Sequence, residues 1–113
     1  MAVIEREAKI VNPLGMHARP AAEFVKMANR FKSAVQVRKD DLAVNGKSIM
    51  GVMMLAAECG SSVFIKTDGE DADAAMAALL ALVADGFHEM HLTAELREAE
   101  LRDAEDRATE EGA

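Results

Sequence analysis

The 113-residue chain contains no tryptophan and no tyrosine, one cysteine and two prolines. Four phenylalanines are its only aromatic side chains, so it has little of the stacking surface with which proteins bind single-stranded nucleic acids. A single cysteine, Cys59, cannot form an internal disulfide, which favours a reducing compartment. We expect Cys59 to be a partly buried structural thiol, because the sequence places no activating base near it.

Long hydrophobic runs are also missing. Glu5, Arg6, Glu7 and Lys9 stand where a signal peptide needs apolar residues, and no apolar run approaches the length of a membrane span. We therefore expect a cytoplasmic protein without membrane insertion. The net charge of −7 also argues against a nucleic-acid partner, since it repels a polyanion.

The negative charge is concentrated at one end of the chain. Residues 1–87 carry eleven acidic and ten basic side chains, whereas residues 88–113 carry nine and three. We expect one small domain over residues 1–88 and an acidic, helical C-terminal extension over 89–113. In that extension Leu92, Leu96 and Ala99 form a thin apolar stripe, which fits a solvated helix; a coiled-coil or partner-binding helix is the alternative.

Hydrophobic periodicity predicts seven elements in the domain, in the order βαββαβα. The predicted strands are 3–11, a segment around 35–37, 42–44 and 62–67. The predicted helices are 18–31, 48–55 and a last one that ends at Gly86 in a left-handed cap. The order favours an α+β fold, with a four-stranded antiparallel sheet and three helices on one face, over a doubly wound parallel sheet.

The segment 12–20, Asn-Pro-Leu-Gly-Met-His-Ala-Arg-Pro, is the most informative part of the chain. A turn delivers His17 to a helix start, where the N–H groups of Ala18 and Arg19 have no intrahelical partners and Pro20 is tolerated. Such a helix start binds anions, and Arg19 adds a permanently charged fork suited to phosphate oxygens. The pattern indicates a histidine that carries a phosphoryl group; the alternative is a histidine that merely caps the helix or lies on the surface.

Two segments resemble one known family in the right order and spacing. Residues 15–22, Gly-Met-His-Ala-Arg-Pro-Ala-Ala, resemble the active-site signature of HPr, the histidine-containing phosphocarrier of the bacterial phosphoenolpyruvate-dependent phosphotransferase system. Residues 45–55, Asn-Gly-Lys-Ser-Ile-Met-Gly-Val-Met-Met-Leu, resemble the regulatory-serine region of that family. The resemblance covers about residues 3–87 and implies an open-faced β-sandwich.

The resemblance also implies roles for particular residues. His17 would accept a phosphoryl group on its pros nitrogen from phosphorylated enzyme I and pass it to A-domains of sugar permeases or regulatory proteins, with Arg19 stabilising the phosphate. Ser48, a helix N-cap by position, would be the target of an HPr kinase/phosphorylase. Methionine-rich helices usually fill a core, but the resemblance implies a docking surface for partners. Its expected members are Ile49, Met50, Met53 and Lys47, with Arg30 at the rim.

Several alternatives remain open at the level of the sequence. The chain is expected to be a monomeric phosphoryl carrier and not an enzyme, but a carrier of the nitrogen-related branch without sugar transport is a rival. So is a purely regulatory HPr-like protein acting through Ser48. No cofactor is expected, because no glycine-rich phosphate loop or zinc cysteine cluster is present. His88, His91 and Glu95 would share a face if the last helix continued, a weak pattern for a metal site.

Overall fold

A computed structural model describes residues 2–88 as three helices on a four-stranded sheet. The strands are β1 (Ala2–Lys9), β2 (Ala34–Lys39), β3 (Leu42–Asn45) and β4 (Ser62–Gly69). The helices are α1 (Ala18–Ala28), α2 (Ile49–Met54) and α3 (Ala72–Ala84), followed by a 3-10 turn at Gly86–His88. The order βαββαβα confirms the predicted α+β class; the expected helical extension lies outside the described residues.

The sheet is antiparallel throughout, with strand order β1-β4-β2-β3. Its period of two sends Val35, Val37, Val63 and Ile65 to one face, where they meet apolar side chains of the helices. Phe24 and Leu79 are fully buried in that layer. The core therefore lies between one face of the sheet and the three helices, as in an open-faced sandwich.

The opposite face of the sheet carries polar and charged side chains. Arg38 lies over the ring of Phe64, with its guanidinium carbon 4.4 Å from the ring centroid, and its Nη2 lies 3.7 Å from Oε1 of Glu5. These contacts span β2, β4 and β1, which are neighbours in the sheet. This face of the sheet is therefore exposed to solvent and does not form a second core.

Helix α1 ends three residues before the predicted boundary. Asn29 donates its backbone N–H (2.9 Å) and its side-chain amide (3.0 Å) to the carbonyl of Val25. The N–H groups of Arg30 and Phe31 then bond to carbonyls three residues back, which tightens the last turn and ends the helix. Phe31 is half-buried beyond this end and does not continue the helical stripe.

The end of α3 confirms the predicted left-handed glycine and contradicts a continued helix. Gly86, Phe87 and His88 all have positive φ, at 67°, 57° and 63°. Phe87 is only 3% exposed, so its burial holds this turn in place. Nδ1 of His88 pairs with the carboxylate of Asp85. The condition for a metal site, that the helix continues through His88 so that His88, His91 and Glu95 share a face, is not met at His88; the other two residues lie outside the described residues.

Candidate functional site

A turn over residues 12–17 places His17 at the start of α1. The N–H of Gly15 bonds to the carbonyl of Asn12 at 3.0 Å, and the side-chain amide of Asn12 returns a 2.7 Å bond to the carbonyl of Gly15. Gly15 has φ +70°, which glycine adopts without steric cost. Met16, 5% exposed, then ties the turn to a distant loop by donating its N–H to the carbonyl of Ala57 at 2.8 Å.

His17 is the N-cap residue of α1, as the sequence predicts. Its backbone is extended, with φ −81° and ψ −171°, and its carbonyl accepts the N–H of Ala21 at 3.0 Å. The side chain makes no capping hydrogen bond to the helix, which argues against the alternative in which it is only a cap. The imidazole is half-buried, so one side of it remains accessible to solvent.

The start of α1, beside His17, is electropositive. No acidic residue lies in the first turn of α1, and Pro20 has no N–H. Within residues 2–88, no protein acceptor takes the N–H groups of Ala18 and Arg19, and both residues are exposed. The side chain of Arg19 forms no salt bridge in this part of the chain. Two backbone donors, the helix dipole and a guanidinium are thus available to an anion held on His17.

A shallow groove of about 550 Å³ runs past His17. Its walls come from the 12–17 turn and from the loop that follows α2. The lining residues are Pro13, Leu14, Met16, His17, Ala56, Ala57, Glu58 and Cys59. Sequence reasoning did not identify Glu58 as part of the site, because it stands about forty positions from His17 and only the fold brings the two segments together.

The expectation that Cys59 is partly buried is wrong, because the structure places this residue at the surface as an exposed free cysteine. It lies in a turn with Gly60 at φ +90°, where the carbonyl of Glu58 accepts the N–H and hydroxyl of Ser61. The turn places the thiol at the protein surface. Its hydrogen-bonding contact is a long one, 3.8 Å from Sγ to the carbonyl of Val11.

Ser48 is the N-cap of α2, with its Oγ accepting the N–H of Gly51 at 3.1 Å. The preceding Lys47 donates its backbone N–H to Oδ1 of Asn45 at 2.9 Å. Nζ of Lys47 reaches the carbonyl of Phe31, just beyond the end of α1, at 2.8 Å. The ammonium group is therefore bonded to the body of the domain and the side chain is half-buried.

Helix α2 presents methionines to solvent, contrary to the default expectation that they fill the core. Met50 is 72% exposed and Met54 65%, and Ile49 and Met53 are also exposed. Val52 is the fully buried residue of this short helix. Ile49, Met50 and Met53 thus share one accessible apolar surface, on the helix whose following loop lines the His17 groove.

Helices α1 and α2 run in opposite directions across the domain. Lys47, before α2, contacts the C-terminal end of α1, whereas Ala57, after α2, contacts the N-terminal end. The eleven residues of α1 span about 16 Å. Ser48 and His17 therefore lie near opposite ends of α1, about one helix length apart.

Among residues 2–88, no group of three or more histidine, cysteine, aspartate or glutamate side chains is placed to hold a metal ion. None of the helices in this range is both long and apolar enough to cross a membrane.

Residues 4–85 match the family model described as the PTS HPr component phosphorylation site. A phosphocarrier protein HPr of Cupriavidus necator is 48% identical over 87 residues, which cover 77% of this chain and 98% of that protein. An HPr-like protein Crh of Halalkalibacterium halodurans is 44% identical over 81 residues, covering 72% and 96%. The matched region contains both His17 and Ser48.

Crystal structures of HPr from Thermoanaerobacter tengcongensis share the fold. One is 43% identical with a TM-score of 0.74, covering 76% of this chain and 97% of that one. A second, described as an HPr dimer, is 44% identical with a TM-score of 0.61, covering 70% and 91%. Dimeric relatives mean that the expected monomer does not follow from the family. The matched family model, the fold and the histidine at the helix start together show that this chain belongs to the HPr phosphocarrier family of the phosphotransferase system.

Proposed function

We propose that His17 accepts a phosphoryl group from phosphorylated enzyme I and passes it to A-domains of sugar permeases or regulatory proteins. The supporting observation is the helix start, where the exposed residues Ala18 and Arg19 open α1 directly after the half-buried His17. We assign this role to residues 1–88 and regard 89–113 as an extension. The protein acts as a phosphorylated intermediate in the cytoplasm, without turnover of its own.

The transfer exchanges one nitrogen–phosphorus bond for another. A neutral imidazole nitrogen of His17, the pros position, attacks phosphorus while the bond to the histidine of the donor breaks, and the displaced imidazole keeps the electron pair. The N–H groups of Ala18 and Arg19 and the guanidinium of Arg19 hold the phosphoryl oxygens. Their attraction must be moderate, because a carrier that stabilised the phosphorylated state strongly would slow the onward step.

Ser48 is the second proposed modification site, phosphorylated by an ATP-dependent kinase. A phosphate at a helix start is compatible with the fold, because the dipole and free N–H groups favour negative charge there. Since Ser48 and His17 are about one helix length apart, we expect phosphoserine to slow the charging of His17 by changing how enzyme I docks on the α2 surface. Met50 and Met53 are the docking residues with adaptable side chains.

The decisive experiment incubates the full chain with enzyme I and phosphoenolpyruvate and follows its intact mass. We expect the mass of one phosphoryl group to be added, to be lost in acid, and to be absent in His17→Ala. The matched control is Ser48→Ala, which keeps the imidazole and is expected to gain the same acid-labile group. An acid-stable group, or a group gained by His17→Ala, would contradict the proposal.

The downstream branch and the oligomeric state need separate measurements. Transfer from the charged protein to an A-domain of a sugar permease supports the sugar-uptake branch, whereas transfer only to nitrogen-related A-domains supports the rival. Sedimentation before and after charging tests whether the carrier works as a monomer. Incubation with ATP and an HPr kinase tests Ser48, where an acid-stable phosphate that is absent in Ser48→Ala is expected.

A further inference from the structure

A second groove, separate from the His17 groove, lies between α1 and α3. It has a volume of about 440 Å³ and is predominantly apolar. Met27 of α1 forms one wall, and Ala78, Ala81 and Leu82 of α3 form the other, with Asp85 and His88 following the end of α3. The lining residues are Met27, Ala78, Ala81, Leu82, Asp85 and His88. We call it the α1–α3 groove.

The chain leaves the described domain at this groove. Gly86, Phe87 and His88 adopt left-handed conformations in succession, which ends α3 and turns the chain away from its axis. The cost of two such conformations outside glycine is offset by the burial of Phe87 against the core. His88 then lies at the mouth of the groove, paired with Asp85. Residue 89 therefore begins next to an uncovered apolar surface.

We propose that the C-terminal segment 89–113 of the same chain docks in the α1–α3 groove, with Leu92 and Leu96 against Met27 and Leu82. The lengths agree. Ala78 and Asp85 are seven residues apart on α3, about 10 Å, and Leu92 and Ala99 are separated by the same number of residues. Twenty-five residues follow His88, which is ample length to turn back and cover the groove.

Charge complementarity supports the same occupant. Segment 89–113 carries nine acidic and three basic side chains. Two exposed basic residues, Lys26 and Arg30, stand on either side of Met27 in sequence, and the N–H of Arg30 bonds to the carbonyl of Met27 at 3.1 Å. The acidic residue of the lining, Asp85, is paired with His88. An apolar stripe with acidic flanks thus meets an apolar groove next to two basic residues of α1.

The test uses the full chain labelled at the methyl groups of methionine and leucine. We expect nuclear Overhauser contacts between the Met27 methyl and the methyl groups of Leu92 or Leu96, in a sample that sediments as a monomer. The double variant Leu92→Gln with Leu96→Gln is expected to lose these contacts and to shift the Met27 methyl resonance. Leu101→Gln is the matched control, because in a helical segment position 101 would fall on the side opposite Leu92, so this variant should leave Met27 unchanged.

Three results would overturn the proposal. The Met27 methyl could have the same resonance in the parent and in the double variant. The Leu101→Gln control could move it as much as the double variant does. The contacts could also weaken on dilution and arise between differently labelled chains, which would identify a second copy as the occupant.

Discussion

The α-carbon of Gly15 packs against the carbonyl oxygen of Ala57 so closely that a β-carbon there would lie 2.6 Å from that oxygen. The next residue, Met16, donates its N–H to the same carbonyl at 2.8 Å. This contact joins the turn before α1 to the loop after α2. It therefore sets both walls of the His17 groove at once.

Gly15→Ala should destabilise the domain and slow the charging of His17. The left-handed backbone alone costs about 1–2 kcal/mol, and the clash with the Ala57 carbonyl adds to that cost. Urea unfolding measures the change. The control is Gly60→Ala, which also has positive φ but no atom within 4 Å of the added carbon, so it should lose only the backbone cost of about 1–2 kcal/mol. Equal losses in the two variants would contradict the role of the close contact.

Arg19→Ala should leave the free energy of unfolding within about 0.5 kcal/mol, because the side chain is exposed. It should slow phosphoryl transfer to His17 roughly tenfold, since a hydrogen bond to a charged group contributes about 1.5 kcal/mol. Rapid-quench transfer from enzyme I measures the rate. Arg6→Ala, which removes an exposed arginine from β1, outside the expected docking surface, should transfer at the parental rate. A parental rate in Arg19→Ala would exclude the guanidinium from the reaction.

Ser48→Ala should lower the free energy of unfolding by about 1 kcal/mol, because the N–H of Gly51 loses its acceptor. Ser48→Asp keeps an acceptor at the helix start and should retain most of the stability. The same aspartate variant should be charged by enzyme I more slowly than the parent. Full stability in Ser48→Ala would show that the cap contributes nothing.

Met50→Ala should weaken the productive encounter with enzyme I and leave the fold intact. Met50 is 72% exposed, so its side chain contributes little to the core. The expected result is a raised KM of enzyme I for the carrier with an unchanged unfolding curve. Val3→Ala removes another exposed apolar side chain, 59% exposed on β1, and should change neither quantity. A KM raised to the same extent by both variants would locate the docking surface elsewhere.

The lowered pKa of Asp71 predicts that the stability of the fold depends on pH. Its carboxylate accepts the hydroxyl of Ser33 at 2.5 Å, the N–H of Ser33 at 2.9 Å and the N–H of Lys32 at 2.8 Å. The hydrogen bond from the Ser33 hydroxyl is the largest cause that lowers the pKa of Asp71 from 3.8 to about 2. A carboxyl with a depressed folded-state pKa stabilises the fold above pH 4, and that contribution is lost between pH 4 and pH 2.

Asp71→Asn should therefore be less stable than the parent at neutral pH and should show a flatter decline between pH 4 and pH 2. Chemical unfolding across this pH range measures both effects. Asp73→Asn removes a carboxylate from the same end of α3 without touching the Ser33 contacts, so it should follow the parental decline. A parental pH profile in Asp71→Asn would show that these hydrogen bonds do not favour the ionised carboxylate.

Local features of the site were predictable because their causes lie within a few residues. The N-cap at His17, the N-cap at Ser48 and the left-handed Gly86 each depend on neighbours within one helical turn. The strand and helix order followed from periodicity, which records which face of each element is buried. The end of α1 was missed because hydrogen bonds around Asn29 override the apolar spacing that continues to Phe31.

Element order, the histidine at a helix start and the serine cap could be read from the amino-acid sequence, since these are properties of short stretches of chain. The folded structure was needed to show that the loop at Ala57 walls the His17 groove, that Cys59 and Met50 are exposed, and that the Asp71 carboxylate accepts hydrogen bonds from Ser33. Those features join segments tens of residues apart. Their placement depends on how the sheet and helices pack together, which no local pattern records.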